Sequence, residues 1–179
     1  MTDFTIVDGK PWHCGQMIRI LRHEHTKSLI TTGVDSHREL KTRFDLSIFC
    51  RAWLVDGQLA ALGGVCGSKL SALGFVWFAM SERAKRYPVA LVKEARRQLE
   101  EIMVVKRELA TTIIPDDDAA LRLAVYLGFH VADSGRGAPA ESRSGRRHLA
   151  DFVKSEPSLR VPVGIGYVIP MGYHHDGAA

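Results

Sequence analysis

The most concentrated chemistry in the sequence is a basic stretch in front of a proline. Arg83, Lys85 and Arg86 lie close together and are followed by Pro88, a residue favoured in the first turn of a helix. Arginine and lysine side chains donate charge-assisted hydrogen bonds to phosphate oxygens. A solvated surface turn has the same composition, so the stretch predicts either phosphate contacts or an ordinary turn.

The other candidate residues are isolated. Glu108 begins a predicted strand and Glu82 precedes the basic stretch, so each carboxylate is a weak candidate base. Cys66 has no histidine or aspartate in a recognisable relation to it, and we expect a small buried thiol. The histidines of segments 23–25 and 174–175 neither share a helix face nor have a third ligand at fixed spacing. We therefore expect no metal site.

Composition indicates one globular domain. The chain has 179 residues, of which 46% are hydrophobic and 25% charged, values that suit a single domain with a substantial core. No apolar run approaches the ~20 residues of a membrane helix, and the N-terminus lacks a secretory signal pattern. The three cysteines are widely spaced and predict neither a disulfide framework nor a metal knuckle. We expect a reduced protein that is neither secreted nor bound to a membrane.

The charge balance is mildly basic. The formal net charge is +4 and the isoelectric point is about 9.1. Much of the excess lies in residues 83–86 and in Arg136, Arg143, Arg146 and Arg147. No aromatic residues interleave with either cluster and no nucleic-acid motif is present, so the charge does not favour specific nucleic-acid binding.

The apolar pattern predicts seven strands. Asp56-Gly57 between two apolar runs is a strong hairpin signal. Residues 73–80 are continuously apolar, which predicts a central strand buried on both faces. The predicted strands cover residues 4–7, 52–55, 59–65, 73–80, 108–114, 129–134 and 163–170.

Helices are predicted between these strands. Ser36 and Glu39 have the spacing of a capping box. Asp116–Asp118 favour a helix N-terminus, and Gly128 ends that helix. The units 73–114 and 108–134 predict right-handed crossovers with parallel neighbouring strands. The predicted helices run from Pro11 to about Leu21 and over residues 36–48, 88–105 and 116–127.

The segment between the last two predicted strands is irregular. Residues 135–162 are rich in glycine, serine, arginine and proline and show no clear periodicity. We expect a core in residues 1–134, a basic insertion in 135–162, and a final strand and tail in 163–179 that complete the same domain. The arginines of the insertion are predicted to lie at a protein interface.

The order of elements, together with "ALRLAVYLGF" and its helix-stopping glycine, resembles the GNAT family of acetyl-CoA-dependent N-acetyltransferases. The resemblance covers roughly residues 4–134 and the final strand. It implies an α/β fold with a GNAT-like mixed central sheet and helices on both faces. It also implies acetyl-CoA as the cofactor if the protein is active, and whether it is active stays open.

The resemblance implies a cofactor site around the end of the central strand. The family's pyrophosphate loop contains glycines, whereas "SERAKRYP" has none and its proline lacks an N–H. We expect the Val65 and Cys66 end of one strand to splay from the segment 80–86, with the cofactor in the gap. The implied cofactor-binding residues are Met80, Ser81, Arg83, Lys85 and Arg86.

The sequence departs from the family pattern at the catalytic acid. The family's tyrosine lies four residues before the glycine of "GF", and that position is Ala124 here. Tyr126 lies two positions later, about 200° around a helix, and so faces another way. Tyr126 and Glu108 remain weak catalytic candidates, with Tyr126 favoured as a packing or surface residue.

A narrower resemblance concerns "GQLAALGGVCGSK" followed by "VWFAMSERA". These segments resemble the GNAT-like podovirus family of internal virion protein A. This resemblance implies a phage virion or assembly component of the host cytoplasm or the virion, with weak or no catalysis. Its implied partners are other phage structural proteins or further copies of itself. The alternative is an acetyl-CoA-dependent N-acetyltransferase with a divergent cofactor loop, which takes a small-molecule acyl donor.

Overall fold

A seven-stranded mixed sheet organises the fold. The computed structural model describes residues 3–23, 35–113, 117–131 and 165–170. The strands are β1 (Phe4–Asp8), β2 (Ser47–Val55), β3 (Gln58–Cys66), β4 (Leu73–Met80), β5 (Glu108–Ile113), β6 (His130–Val131) and β7 (Ile165–Pro170). Their order in the sheet is β1-β2-β3-β4-β5-β7-β6. All neighbours pair antiparallel except β4 and β5, which pair in parallel.

Four helices and one 3₁₀ turn among the described residues connect these strands. The helices are α1 (Pro11–Ile20), α2 (Ser36–Asp45), α3 (Pro88–Met103) and α4 (Asp118–Tyr126), and the 3₁₀ turn covers Glu82–Arg86. None of the described helices has the length and apolar character needed to cross a bilayer.

The central strand β4 carries helices on both of its faces, as the sequence pattern predicts. On one face Phe75 and Trp77 pack in a cluster with Met17 of α1 and Leu40 of α2. On the other face Val76 packs against a cluster that contains residues of α3 and α4. Alternate residues of a strand point to opposite faces, and because both faces are covered, β4 is apolar throughout.

The hairpin between β2 and β3 has the predicted turn. Asp56 and Gly57 have φ values of 49° and 71°, which is the left-handed conformation that a two-residue hairpin turn requires. Beyond the turn the register passes from Leu59 to Ala61 and leaves Ala60 as an extra residue. The carbonyl of Ala60 accepts hydrogen bonds from the Ser81 amide at 2.9 Å and the Ser81 hydroxyl at 2.8 Å. The bulge residue Ala60 therefore fixes the position of Ser81, the residue that follows β4.

The expected capping box of the second helix is wrong. Asp35, not Ser36, caps α2, because its carboxylate accepts from the amides of His37 and Arg38 at 3.0 and 3.1 Å. Glu39 is buried and pairs with Arg43 instead of reaching back to the cap. The helix ends at Asp45 because β2 begins at Ser47, two residues further on.

The expected parallel pairing of the strands after the third and fourth helices is correct for one pair only. β4 and β5 are parallel neighbours, but β7 lies between β5 and β6 and pairs antiparallel with both. Gly128 ends the last helix with a φ of 93°, as the sequence predicts.

Several expectations concern residues outside the described part of the chain. These are the basic insertion 135–162 with its expected interface arginines Arg136, Arg143, Arg146 and Arg147, the tail after residue 170, and the histidines His25, His174 and His175.

The cysteine Cys66 lies within the described residues and is fully buried, as expected. Burial raises the pKa of Cys14 to about 11 and that of Cys50 to about 12, so both thiols stay protonated at neutral pH.

His13 closes the start of α1 and makes it sensitive to pH. Its Nδ1 accepts the backbone N–H of Lys10 at 3.0 Å, which requires the neutral imidazole. Burial, and to a lesser extent the charge of Lys10, lowers the His13 pKa below its ordinary 6.5. The unfolded chain therefore binds a proton more readily than the folded chain. The contribution of neutral His13 to the stability of the fold is complete above pH 6.5. It is lost as the pH falls through the lowered pKa of His13 in the folded protein.

We expect His13→Gln, which keeps an acceptor but cannot titrate, to lose less stability in acid than the natural protein. At neutral pH the free energies of unfolding of the two should differ by no more than about 1 kcal/mol. Urea titrations at pH values from 7 to 5 measure the difference. Parallel stability curves for the two proteins over this range would contradict this account of His13.

Candidate functional site

The parallel pairing of β4 and β5 stops early. Three residue pairs join them, from Leu73 with Glu108 to Phe75 with Ala110. β4 then continues to Met80 and β5 to Ile113 with no further ladder pairs between them. The two strands therefore separate in the middle of the sheet, and β4 has no strand neighbour on this side between Val76 and Met80, whose carbonyl accepts the backbone N–H of Arg22 at 3.0 Å.

One side chain holds the start of this gap. The Thr111 hydroxyl donates to the carbonyl oxygen of Val76 at 3.0 Å, immediately after the last ladder pair. A side-chain bond spans a wider separation than a backbone pair, so Thr111 satisfies the first open carbonyl while the strands diverge. The gap is thereby fixed to begin at residue 76.

The expected location of this gap is wrong. The Val65 and Cys66 end of β3 does not separate from β4, because the two strands pair continuously from Ala61 with Met80 to Cys66 with Phe75. The reason is topological, since β3 and β4 form an antiparallel pair of adjacent strands. The separation occurs on the other side of β4, where the parallel partner β5 arrives after a helix.

A cavity of about 170 Å³ lies at the gap and extends over β2 and β3, and helices from both faces of the sheet line it. On one side α3 and α4 wall it, with Gln98 and Leu99 from α3 and Ala120 and Ala124 from α4. On the other side Arg43 of α2 lines it. Further wall residues come from the strands: Phe49, Arg51, Trp53, Gly63, Gly64, Val65, Val76, Trp77, Met80, Thr111, Thr112 and Ile113.

Gly64 leaves room for polar contacts at the wall of the cavity. A Cβ atom on Gly64 would lie 2.6 Å from the Phe49 carbonyl oxygen and 2.9 Å from the Ser47 hydroxyl. It would also lie 3.0 Å from Trp77 Nε1, the atom that donates to Ser47 at 2.8 Å. The glycine is therefore required by close approach and not by backbone conformation.

Four polar atoms at the cavity wall are buried without a hydrogen-bond partner among the described residues. They are Arg43 Nη2, Trp53 Nε1, Gln98 Oε1 and Thr112 Oγ1. A buried polar group without a partner costs about 1–3 kcal/mol, and such groups are rare in folded proteins. Their concentration around one cavity indicates a place that receives a polar ligand.

The structure places the implied cofactor-binding residues at two separate sites. Met80 lines the cavity, and the Ser81 hydroxyl is engaged with Ala60. Ser81, Arg83 and Arg86 line a separate depression next to α1.

Most of the charges of the 3₁₀ turn have partners within the protein. Arg83 donates to Gln58, Lys85 pairs with Glu82 at 2.8 Å, and Glu82 also lies 3.9 Å from Arg22. The carboxylate of Glu82, a candidate base, is therefore an ion-pair partner. None of these groups lines the cavity between β4 and β5.

The two weak catalytic candidates also lie away from the cavity. Glu108 is at the paired start of β5, opposite Leu73, and Tyr126 is 55% exposed in the last turn of α4. Ala124, in contrast, is 5% exposed and lines the cavity. The position that carries a tyrosine in the family pattern thus faces the cavity, and Tyr126 faces another way.

One signal for the cavity is present in the sequence and was overlooked. Gln98 lies on the apolar stripe of α3, next to Leu99, where a polar side chain needs a partner. Its Nε2 donates to Glu94 at 2.7 Å, which leaves Oε1 at the cavity. Thr111 and Thr112 gave no such signal, because threonine is common in strands.

Comparison with solved structures identifies the fold. No protein-family model and no curated protein sequence matches the chain. The ribosomal-protein-S18-alanine N-acetyltransferase from Escherichia coli superposes with a TM-score of 0.60 at 14% identity, over 99% of each chain. A GNAT-family acetyltransferase from Streptococcus pneumoniae gives 0.54 at 14% identity, over 95% of this chain and 100% of that one.

A third structure was determined with a ligand. It is the PaiA N-acetyltransferase from Thermoplasma acidophilum in complex with coenzyme A, with a TM-score of 0.55 at 8% identity, over 94% of this chain and 99% of that one. At these identities the similarity establishes the fold alone. The chain has the GNAT acetyltransferase fold.

We expect Gly64→Ala to destabilise the protein by about 1–3 kcal/mol, because the added methyl group must displace the backbone or break the Trp77–Ser47 bond. Gly15 in α1 is the matched control, since a Cβ there meets nothing within 4 Å. Gly15→Ala should leave stability unchanged or raise it by about 0.5–1 kcal/mol. Urea unfolding followed by tryptophan fluorescence measures both, and an equal effect of the two substitutions would contradict the role given to Gly64.

Proposed function

We propose that the protein is an acetyl-CoA-dependent N-acetyltransferase whose acyl donor lies in the gap between β4 and β5. The observation that carries this proposal is the early end of the β4–β5 pairing, which opens a cavity through the centre of the sheet. The GNAT fold and the coenzyme A held by one compared structure support the same ligand.

The residues around the cavity fit the acyl-bearing arm of coenzyme A. That arm is narrow, largely apolar, and interrupted by two amide groups. The walls from α3 and α4 are apolar apart from Gln98, and the stretch of β4 between Val76 and Met80 offers a backbone donor and acceptor on the gap side. Gln98 Oε1 and Trp53 Nε1 add a buried acceptor and a buried donor without partners among the described residues. These groups suit amide N–H and carbonyl partners.

When bound, acetyl-CoA supplies the acetyl group as a thioester. The chain's own contribution is to bind, orient and exclude water. Thr111 ties β5 to β4 at Val76, where the gap begins, and the walls formed by Leu99 and Ala120 exclude solvent from one side. Ala124, at the position where the family has its tyrosine, has no group that can donate a proton. General acid catalysis at that position, typically worth about 10²–10⁴-fold, is therefore absent, and we expect slow turnover.

The pyrophosphate of the cofactor has a weaker fit. The amides of Ala84 and Tyr87 are already bonded within the 3₁₀ turn, and Pro88 has no N–H. Arg83 and Arg86 remain the proposed phosphate contacts, by side-chain movement from the depression they line. Affinity for coenzyme A should therefore depend mainly on the arm.

The expectation of a phage virion component has no support in the compared structures, which are acetyltransferases. They favour the alternative expectation of an acyltransferase. The phage role and its structural partners stay predictions from the narrower sequence resemblance.

We expect Ala120→Trp to weaken coenzyme A binding at least tenfold, because the indole fills the cavity from its α4 wall. The neighbouring exposed residue gives the matched control, and Ala119→Trp should bind coenzyme A as the natural protein does. Calorimetric titration with coenzyme A measures both, and melting temperatures verify that both variants fold.

Activity is measured as release of free thiol from acetyl-CoA in the presence of an amine. Tyr126→Phe and Glu108→Gln should retain the activity of the natural protein within about twofold, since neither residue reaches the cavity. Absence of any coenzyme A binding by the natural protein would refute the proposed function. Equal affinity in the Ala119 and Ala120 variants would refute the location of the donor.

A further inference from the structure

The Arg43 guanidinium is the part of the cavity wall that the proposed donor does not use. It lies on the α2 side of the sheet, and its side chain is only 10% exposed. Its Nε donates to Glu39 Oε1 at 3.0 Å, whereas Nη2 is buried without a partner among the described residues. A buried cation with an unused donor favours a ligand with an anionic oxygen.

The fold itself does not require this charge. The main-chain carbonyl of Arg43 accepts from the Ser47 hydroxyl at 2.7 Å and from the Cys66 thiol at 3.2 Å, contacts that any residue at position 43 would offer. A buried ion pair is often replaced by apolar side chains of similar size with no loss of stability. Packing therefore leaves the Glu39–Arg43 pair unexplained.

The surrounding charges disfavour a dianion. The charged side chains that line the cavity are Arg43, Arg51 and Asp117. Arg51 already pairs with Asp8 and lies 4.5 Å from the centre of the Phe49 ring. Both arginines are ion-paired and Asp117 adds a further carboxylate, so no excess positive charge is left for a phosphate dianion. A single carboxylate still gains a directed bond from Arg43 Nη2.

We propose that Arg43 binds a carboxylate carried by the acceptor, so that the acceptor is an amine with a carboxylate nearby, such as an amino acid. This inference rests on the proposed function, since it assigns the acceptor of the same site. Arg43 is then a residue that determines acceptor specificity, and Glu39 positions its guanidinium.

Two variants and a control isolate this role. The double variant Glu39→Leu/Arg43→Met removes both members of the ion pair, so neither charge is left buried without the other. Arg43→Lys keeps a cation beside Glu39 but removes Nη2. Arg38→Met is the control, because Arg38 is an exposed arginine of the same helix. Melting temperatures and coenzyme A affinity should be alike in the control and in the natural protein.

The test is calorimetric titration of the coenzyme A-saturated protein with L-alanine, L-methionine, L-phenylalanine and L-glutamate, each compared with its primary amide. We expect at least one amino acid to bind tenfold or more tightly than its amide. This ratio should fall to within twofold of one in Glu39→Leu/Arg43→Met, fall at least threefold in Arg43→Lys, and persist in Arg38→Met.

The outcomes separate the two proposals. If coenzyme A binds but every amino acid and amide pair binds alike, the acceptor inference is wrong and the proposed function stands. The inference is also wrong if the preference persists without Arg43. If coenzyme A does not bind the natural protein, the proposed function fails and the inference fails with it. Should the double variant not fold, Arg43→Lys decides the question.

Discussion

The short pairing between β4 and β5 is the constraint on which the rest of the structure depends. A parallel pair that continued to Met80 would close the sheet, and the helices on its two faces would be separated by a continuous layer. Instead the ladder stops at Phe75 and Ala110, and Thr111 takes up the next carbonyl of β4. The opening then joins residues of α2 to residues of α3 and α4 around one cavity.

The other unusual features of the core lie beside this opening. Gly64 occupies a place that no side chain fits, and its absence of a Cβ lets Trp77 bond to Ser47. The buried polar atoms of Arg43, Trp53, Gln98 and Thr112 that lack a hydrogen-bond partner among the described residues surround the same space. Local rules of packing and polar satisfaction are broken together at one site, as is expected where function competes with stability.

The sequence predicted the elements well because their signals are local. The hairpin at Asp56-Gly57, the strand Leu73–Met80, the start of α3 at Pro88 and the stop at Gly128 each follow from neighbouring residues. The gap could not be located in this way, because it depends on which strands become neighbours. The same holds for β7, which comes late in the chain and lies between β5 and β6. Arg43 was missed because an arginine four residues after a glutamate is typical of exposed helices.

Amide hydrogen exchange of residues 76–80 with and without coenzyme A tests the central claim most directly. These residues form the part of β4 that has no ladder partner on the β5 side. Backbone amides of a strand point alternately to its two neighbours, so the amides of Phe78 and Met80 point toward the gap and those of Trp77 and Ala79 toward β3. If the cofactor arm occupies the gap, exchange of the Phe78 and Met80 amides should slow on addition of coenzyme A, while amides of β1 stay unchanged. Unaltered exchange over residues 76–80 at saturating coenzyme A, or protection confined to other segments, would contradict the account.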